Sequence, residues 1–376
     1  QFIYYVQNEL GHPDWSIAND EGFDTNYNIQ ENSCPNIPSE FKEAEKYFPP
    51  LPYVREGRRV IALYTLTGKE IKRVGSPPKA LTSFETALAV GNYANDLHNC
   101  NQDSTLETSF ETSGDITGSG LFQVPFESFI PETIDGFLVA EKNIGVTRLV
   151  NGATRLQPIT MATGQAAGAI AAYAVQQNVQ PRQVNPIFVQ KELLDAKSVL
   201  SLYNFSDVPQ SHPFWPHVQL ASVHGVMVGY NETTFGVNDP MLRRYVAAVF
   251  VKAFDILIDN PPSEPTFVDV PKDHPQYKEI EAIYREGITS GCSANPPKFC
   301  PDKEVSRAEM AVFLVRALKL DPNEVPSEQI FEDVPPTHWA FPYVQLLYEK
   351  GITAGCSETP RRFCPDDLVS RGQAAA

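Results

Sequence analysis

Four of the six cysteines stand in two matched pairs, Cys292 with Cys300 and Cys356 with Cys364, each with the same seven residues between them. Equal spacing used twice, in an even cysteine count, points to two local disulfides and to an oxidising compartment. Zinc is the rival chemistry. The gap is not the short C-x2-4-C of zinc sites and no His-x3-5-His accompanies it, so no metal is expected. Cys34 and Cys100 remain, and they pair only by elimination.

Around these cysteines lie groups able to hold a ligand. Three near-identical pentapeptides, Phe205-Ser-Asp-Val-Pro209, Phe267-Val-Asp-Val-Pro271 and Phe331-Glu-Asp-Val-Pro335, set out Asp207, Asp269 and Asp333 at a nearly constant interval. An arginine opens a later helical run in each copy: Arg244, Arg307 and Arg371. Arginine is a planar donor fork suited to a carboxylate. Trp339 follows His338 in the third copy, where the first two copies have Pro213 and Pro275. Each aspartate can instead cap the helix that follows it. Upstream of the repeats, His98 is a candidate acid or base, or a hydrogen-bonded structural residue. Arg55, Arg58 and Arg59 suit a substrate or phosphate, or a solvated strand edge.

The elements that must position these groups repeat as well. Twenty residues after each pentapeptide Phe comes a glycine opening a short motif: Gly225-Val-Met-Val-Gly-Tyr230, Gly287-Ile-Thr-Ser-Gly-Cys292 and Gly351-Ile-Thr-Ala-Gly-Cys356. Before it, Tyr277, Ile280, Ile283 and Tyr284 fall at helical spacing, and Gly287 suits the left-handed position past that helix. After it, Ser306-Arg-Ala-Glu309 and Ser370-Arg-Gly-Gln373 are capping boxes that start a second helix; copy one has Leu242-Arg-Arg-Tyr245 and no box. Between the helices run proline-rich loops. A disulfide closing one of them contributes about 2–3 kcal/mol. Copy one has Tyr230 instead of the first cysteine, and a shorter loop.

Upstream, Arg58–Leu66 reads as a strand and Asp135–Ala140 as a turn leading into a short buried strand. From Ala162 to Val175 an alanine- and glycine-rich run reads as a tightly packed buried helix, with Pro158 in its first turn. No run of about 18 apolar residues appears, so no transmembrane segment is expected. The 376 residues suit two or three domains, and 42% of them are hydrophobic, enough for real cores. A net charge of −16 argues against nucleic acid as a partner. Asn204 and Asn231 head glycosylation sequons of a kind that chance supplies in a chain this long. Gln1 begins within an aromatic segment and the third copy stops inside its second helix, which suggests a piece of a longer protein.

The three units over about 205–376 resemble S-layer homology domains, on F-x-D-V-P, G-I-x-x-G and S-R-A-E in order, three times over. The resemblance implies a pseudo-threefold helical assembly whose grooves bind cell-wall or envelope polysaccharide. Asp207, Asp269, Asp333, Arg244, Arg307, Arg371 and Trp339 would be its ligand residues, at the cell surface outside the cytoplasm.

Residues 1 to about 200 resemble the C-terminal part of FAD-dependent oxidoreductases of the glutathione-reductase-like flavin fold, including xanthan-lyase-like members. Pro52–Arg59, Val90–His98, Val124–Phe126 with Gly136–Ala140, and Arg155–Ala172 carry the resemblance. It implies FAD as cofactor, with Gln157, Pro158, Thr160 and Met161 at the flavin ring, Ala140 and Glu141 on the preceding strand end, and Arg155 nearby. A helix N-terminus there stabilises negative charge on reduced flavin. The glycine-rich ADP-binding loop of that family has no counterpart in this sequence, so the chain by itself is expected to hold FAD poorly and to be inactive.

The expected fold is therefore multidomain α+β: a partial FAD/NAD(P)-binding flavoprotein fold of mixed sheet and helices, then an all-α bundle of three helix–loop–helix repeats. The expected boundaries are 1–203, 204–262, 263–326 and 327–376. The implied activity is hydride transfer to FAD from a small molecule such as a sugar, alcohol or amine. The alternative is a non-catalytic surface protein on a degenerate flavoprotein scaffold.

Overall fold

A computed structural model of the chain describes residues 2–14, 57–94, 119–325 and 328–376. The chain divides into two compact units, 1–57 and 58–376. In the first, the described part is one helix, α1 (Phe2–Asn8).

The second unit opens with a small mixed sheet. Its strands β1 (Arg73–Val74), β2 (Lys79–Ala80), β3 (Ala87–Asn92) and β4 (Leu121–Pro125) lie in the order β1-β2-β4-β3. β2 and β4 run parallel and the other two pairs antiparallel. Ala87, Leu88 and Ala89 of β3 are all buried, because helices cover this strand. Those helices are α2 (Arg148–Thr154), α3 (Gln157–Gln177) and α4 (Pro186–Asp195).

Three upstream expectations change. Residues 58–66 do not form a strand: Ala62 and Leu66 make single bridges, to Pro131 and Val146. Residues 137–140 are irregular, tied by Val139 N–H to Phe129 O at 3.1 Å. The third concerns α3. Ile159, Thr163, Ala166, Ala167, Ile170 and Ala174 form its buried face. The opposite face is open: Met161 is 73% and Val175 82% exposed, and a Cβ on Gly164 or Gly168 would meet nothing within 4 Å. Gly164 and Gly168 therefore mark no close approach among the described residues, whereas Ala166, Ala167 and Ala174 pack on the buried face as expected.

The repeats follow. The first has α5 (Trp215–Val223) and α6 (Arg243–Ala253). The second has α7 (Tyr277–Arg285), the hairpin β5 (Ser293–Ala294) and β6 (Pro297–Lys298), and α8 (Arg307–Ala317). The third has α9 (Phe341–Glu349), the hairpin β7 (Ser357–Glu358) and β8 (Arg361–Arg362), and α10 (Arg371–Ala375). The all-α expectation is thus corrected. Two repeats hold an antiparallel hairpin between their helices, because a short loop closed at both ends brings its own strands into register. Bridges Leu242–Glu304, Ser306–Leu368 and Pro240–Ser370 also tie each repeat to the next and the third back to the first.

Local chemistry shapes each repeat as its sequence suggests. Ser306 with Glu309, and Ser370 with Gln373, form reciprocal capping boxes, and Leu242 makes no side-chain cap. Gly225, Gly287 and Gly351 sit at φ of 61°, 70° and 68° just past the first helix, where a left-handed residue closes the turn. The second glycine of each motif has another purpose. A Cβ on Gly229, Gly291 or Gly355 would lie within 2.4–2.7 Å of the ring of Phe205, Phe267 or Phe331. The pentapeptide Phe therefore requires that glycine, and it packs on the loop Phe as well, at 5.4, 5.6 and 5.6 Å between ring centroids.

The first repeat is continuous with the sheet-bearing part. Gln190 of α4 donates to the carbonyls of Glu85 and Ala87, which leaves its oxygen to accept from His224 Nε2 at 2.9 Å. Burial pushes the His224 pKa below its ordinary value, against the pull of Glu85, so the ring sits neutral with the proton on Nε2. Gln219 of α5 accepts from the N–H groups of Leu200 and Ser201.

Gly355→Ala is expected to lower stability by about 2–3 kcal/mol, from a left-handed φ plus a clash with Arg362 O and the Phe331 ring. Urea unfolding followed by tyrosine and tryptophan fluorescence measures it, and an unfolding midpoint equal to the parent's would refute the packing account.

Candidate functional site

Each pentapeptide carboxylate is committed to its own loop. Asp207 accepts from the N–H groups of Phe235, Gly236 and Val237 at 2.9, 2.6 and 3.2 Å. Asp269 accepts from Phe299 and Cys300, both at 2.8 Å, and Asp333 from Phe363 and Cys364 at 2.8 and 2.7 Å. None of the three caps a helix. The caps of α5, α7 and α9 are Phe214, Gln276 and Ala340, without side-chain cap bonds. The helix-cap reading is therefore replaced: the bonds run past the first helix of the repeat to the loop beyond it. His212, His274 and His338 order the entry to those helices, each accepting on Nδ1 from the N–H two residues on.

The arginines link the repeats into a ring. Arg243 Nε donates to Phe299 O at 2.8 Å, Arg307 Nε to Phe363 O at 2.7 Å, and Arg371 Nε to Phe235 O at 2.9 Å. Arg243, Arg307 and Arg371 are evenly spaced along the chain, so the first copy contributes Arg243 and not Arg244. Arg244 turns outward, pairs with Asp302 and donates to Tyr245 Oη. Reading the offset from the capping-box serines, 306 and 370, back to 242 would have found the shift.

The three equivalent grooves differ. At the first, Arg243 is 3% exposed, with Thr289 Oγ1 at 3.4 Å and Glu309 at 3.7 Å. Its guanidinium lies over the rings of Phe299 and Phe313, and Phe250 meets Phe313 edge-on. Burial pushes its pKa down, while Glu309 and Asp269 oppose that. Arg243 is thus sealed from solvent, and the open space between these two repeats, about 750 Å3, lies beyond it at Phe254, Ile288 and Arg316. At the second, Arg307 is half-buried, and among the described residues its two terminal nitrogens meet no acceptor at hydrogen-bond distance. It lines a groove of about 120 Å3 with Met310, Leu314, Leu347, Ile352, Thr353 and Gln373. At the third, Arg371 donates to Val228 O at 2.6 Å and lies 4.6 Å over the Tyr230 ring. A groove of about 170 Å3 opens there between Tyr230, Tyr245, Val249 and Lys252. Trp339 is 59% exposed and stacked on His338, outside the lining of the Arg307 groove.

Both disulfides are present, Cys292–Cys300 and Cys356–Cys364, with Cα atoms 6.0 Å apart. A cluster of Asp269, Cys292 and Cys300 has the proximity of a metal site, but the bonded sulfurs are not thiolates and so are not ligands. Cys34, Cys100, His98 and Arg55 lie outside the described residues. Arg58 is exposed and Arg59 half-buried.

The expected cofactor residues collect around α3. Gln157, Pro158 and Met161 are exposed in its first turn, Thr160 is half-buried, and Arg155 is buried. Ala140 leads into a 3-10 turn at Glu141–Asn143 that packs against α3, with Glu141 at φ 55°. The helix start has no side-chain cap and no acidic residue. Pro158 brings no N–H, and those of Ile159 and Thr160 turn back to Leu156 O. This end offers the dipole and the Gln157 N–H, which suits the edge of an anionic ring more than a phosphate. One turn before, Asn151 and Thr154 are fully buried, and their side-chain polar atoms lack hydrogen-bond partners among the described residues. Such atoms are what an internal water or a bound group satisfies.

The architecture is multidomain, with helices and small sheets in an oxidoreductase-like part ahead of three ring-linked repeats. The chain belongs to the FAD dependent oxidoreductase family, whose model matches residues 3–193, just over half its length. Three S-layer homology domains follow, at residues 204–244, 266–311 and 330–375. The chain is 29% identical over 174 residues to S-layer protein EA1 of Bacillus anthracis, covering 46% of this chain and 19% of that protein. It is 30% identical over 140 residues to a cell surface protein of Thermoanaerobacter kivui, covering 36% and 18%. An endoglucanase of Bacillus sp. (strain KSM-635) is 33% identical over 110 residues, covering 29% and 11%. The chain thus spans about a tenth to a fifth of the length of these relatives. The repeats anchor it at the cell surface, in the envelope. Among the described residues no helix is long and apolar enough to cross a membrane.

Burial raises the Asp207 pKa, but the N–H groups of Phe235, Gly236 and Val237 outweigh it, and the folded pKa lies below the ordinary carboxylate value. Its stabilisation is therefore full above the unfolded pKa, near 4, and is lost as pH falls through the folded value. Asp207→Asn should cost about 1–2 kcal/mol at pH 7 and flatten the acid limb of stability against pH, as read by urea titrations from pH 7 to 2.5.

Proposed function

We propose that this chain serves an FAD-dependent oxidation at the cell envelope, where its repeats hold cell-wall polysaccharide in the groove at Arg307. The observation that carries the anchoring site is the guanidinium of Arg307, fixed by one bond to Phe363 O, lying over the Phe363 ring and lining an open groove. A fork held this way suits a carboxylate on an acidic or pyruvylated sugar, and Met310, Leu314 and Ile352 give an apolar wall for the ring's C–H face. Arg371, beside Tyr230 and Tyr245, is a second subsite of the same class. Arg243 is structural, since it is sealed from solvent. Asp207, Asp269 and Asp333 act on the glycan through the loops they hold, and Trp339 is an exposed platform for a further sugar.

Toward the cofactor, Gln157, Pro158, Thr160 and Met161 would meet the pyrimidine edge of the flavin, with Ala140, Glu141 and Arg155 around it. FAD supplies the hydride acceptor when bound. The chain's part is to present the positive end of α3 to the charge that the reduced ring carries. The substrate class is a small alcohol, amine or sugar.

Arg307→Ala should weaken binding to purified wall polysaccharide by about 10-fold or more, and Arg244→Ala should leave it unchanged, as read by isothermal titration with the intact chain. Arg243→Ala should instead lower thermal stability. Equal affinity for Arg307→Ala and the parent would refute the groove assignment. Protein extracted from its native envelope should show flavin absorbance. A colourless preparation that takes up no added FAD would favour the non-catalytic alternative.

A further inference from the structure

The three loops that wall the grooves are closed in two chemically different ways. In the second and third repeats a disulfide joins the residue after the second motif glycine to the residue after the loop phenylalanine. In the first repeat these positions are Tyr230 and Gly236. The equivalence is geometric: Gly236, Cys300 and Cys364 all have positive φ, 77°, 57° and 56°, and all donate N–H to the pentapeptide aspartate. A Cβ on Gly236 would lie 2.3 Å from the Tyr230 ring. The ring thus fills the space that the sulfurs fill elsewhere, with the Arg371 guanidinium over its face.

Each loop also forms the wall of one groove, because its phenylalanine carbonyl receives the arginine of the preceding repeat. The loop of Cys292–Cys300 walls the groove where Arg243 is sealed from solvent. The loop of Cys356–Cys364 walls the open groove of Arg307. The loop of Tyr230 and Gly236 walls the open groove of Arg371. One open groove therefore depends on a sulfur–sulfur bond and the other does not. Cys356 is exposed and Cys364 half-buried, so the bond is within reach of a solution thiol.

We propose that the Cys356–Cys364 disulfide is a redox latch on glycan binding at Arg307, while the Arg371 groove stays thiol-independent. This rests on the polysaccharide reading above. The reductant class is a dithiol. One of its thiolates attacks Cys356 Sγ and displaces Cys364 as thiolate, which takes a proton. The second dithiol sulfur then displaces Cys356, the dithiol leaves as a disulfide, and two electrons have passed to the protein. The freed loop keeps its hairpin while its N–H bonds to Asp333 open more often, so Phe363 O becomes a looser seat for Arg307 and the loop is not unfolded.

Binding of the intact chain to purified wall polysaccharide, with and without dithiothreitol, tests this. Reduction should weaken the parent's binding about 10-fold. Cys356→Ala with Cys364→Ala should bind at the reduced level in both conditions, and Cys292→Ala with Cys300→Ala should keep the full response. Amide hydrogen exchange at Phe363 and Cys364 should speed up on reduction, with Phe235 and Gly236 unchanged. Equal binding by oxidised and reduced parent, with free thiols at both positions shown by alkylation mapping, overturns the latch. No binding by the oxidised parent overturns the polysaccharide reading, and the latch with it.

Discussion

The N–H of Met241 donates to Val369 O, that of Val305 to Met241 O, and that of Val369 to Val305 O, at 2.8–2.9 Å. These three bonds close a triangle of backbone, one corner from each repeat. Around it the arginine–carbonyl bonds run in the opposite sense, each repeat reaching into the next while the backbone bonds reach into the one before. A closed ring leaves no repeat with an unpaired end, so a module too small to bury its own core gains two neighbours. The grooves exist because the ring fixes where each arginine meets the following loop.

The ring is only pseudo-symmetric, and its departures set what each groove can do. Phenylalanine at 250 and 313, with Glu309 beside them, covers Arg243 at the first groove. Leu314, Met310 and Ile352 line the second. Tyrosine at 230 and 245 makes the third aromatic. The same backbone plan thus holds Arg243 and Arg371 buried, at 3% and 6% exposure, and leaves Arg307 half-buried beside a groove.

The anchor is not a loosely strung tail. Gln190 joins β3 to His224 at the end of α5, and Gln219 holds the connection at Leu200–Ser201. Lys79 of β2 pairs with Glu232 at 2.6 Å and lies over Tyr203. Buried amides satisfied on both sides specify one arrangement, because shifting either partner strands a polar group. The first repeat therefore fixes the orientation of α3 and α4 relative to the ring of repeats.

The amino-acid sequence alone determined the repeats, their order, the capping boxes at Ser306 and Ser370, the left-handed turn at Gly287, and the two sulfur bridges. All of these rest on groups close together along the chain, where steric limits and short hydrogen bonds act without reference to the rest of the molecule. The tertiary structure decided that Arg243 and not Arg244 belongs to the ring, and that the aspartates hold loops and do not cap helices. It also decided that the outer face of α3 is open and that Arg243 is sealed from solvent. Those outcomes hang on partners far away in sequence, as with Asp207 and Phe235 or Arg371 and Phe235. Contacts of that range depend on which side chains fill a shared space, and no local spacing records it.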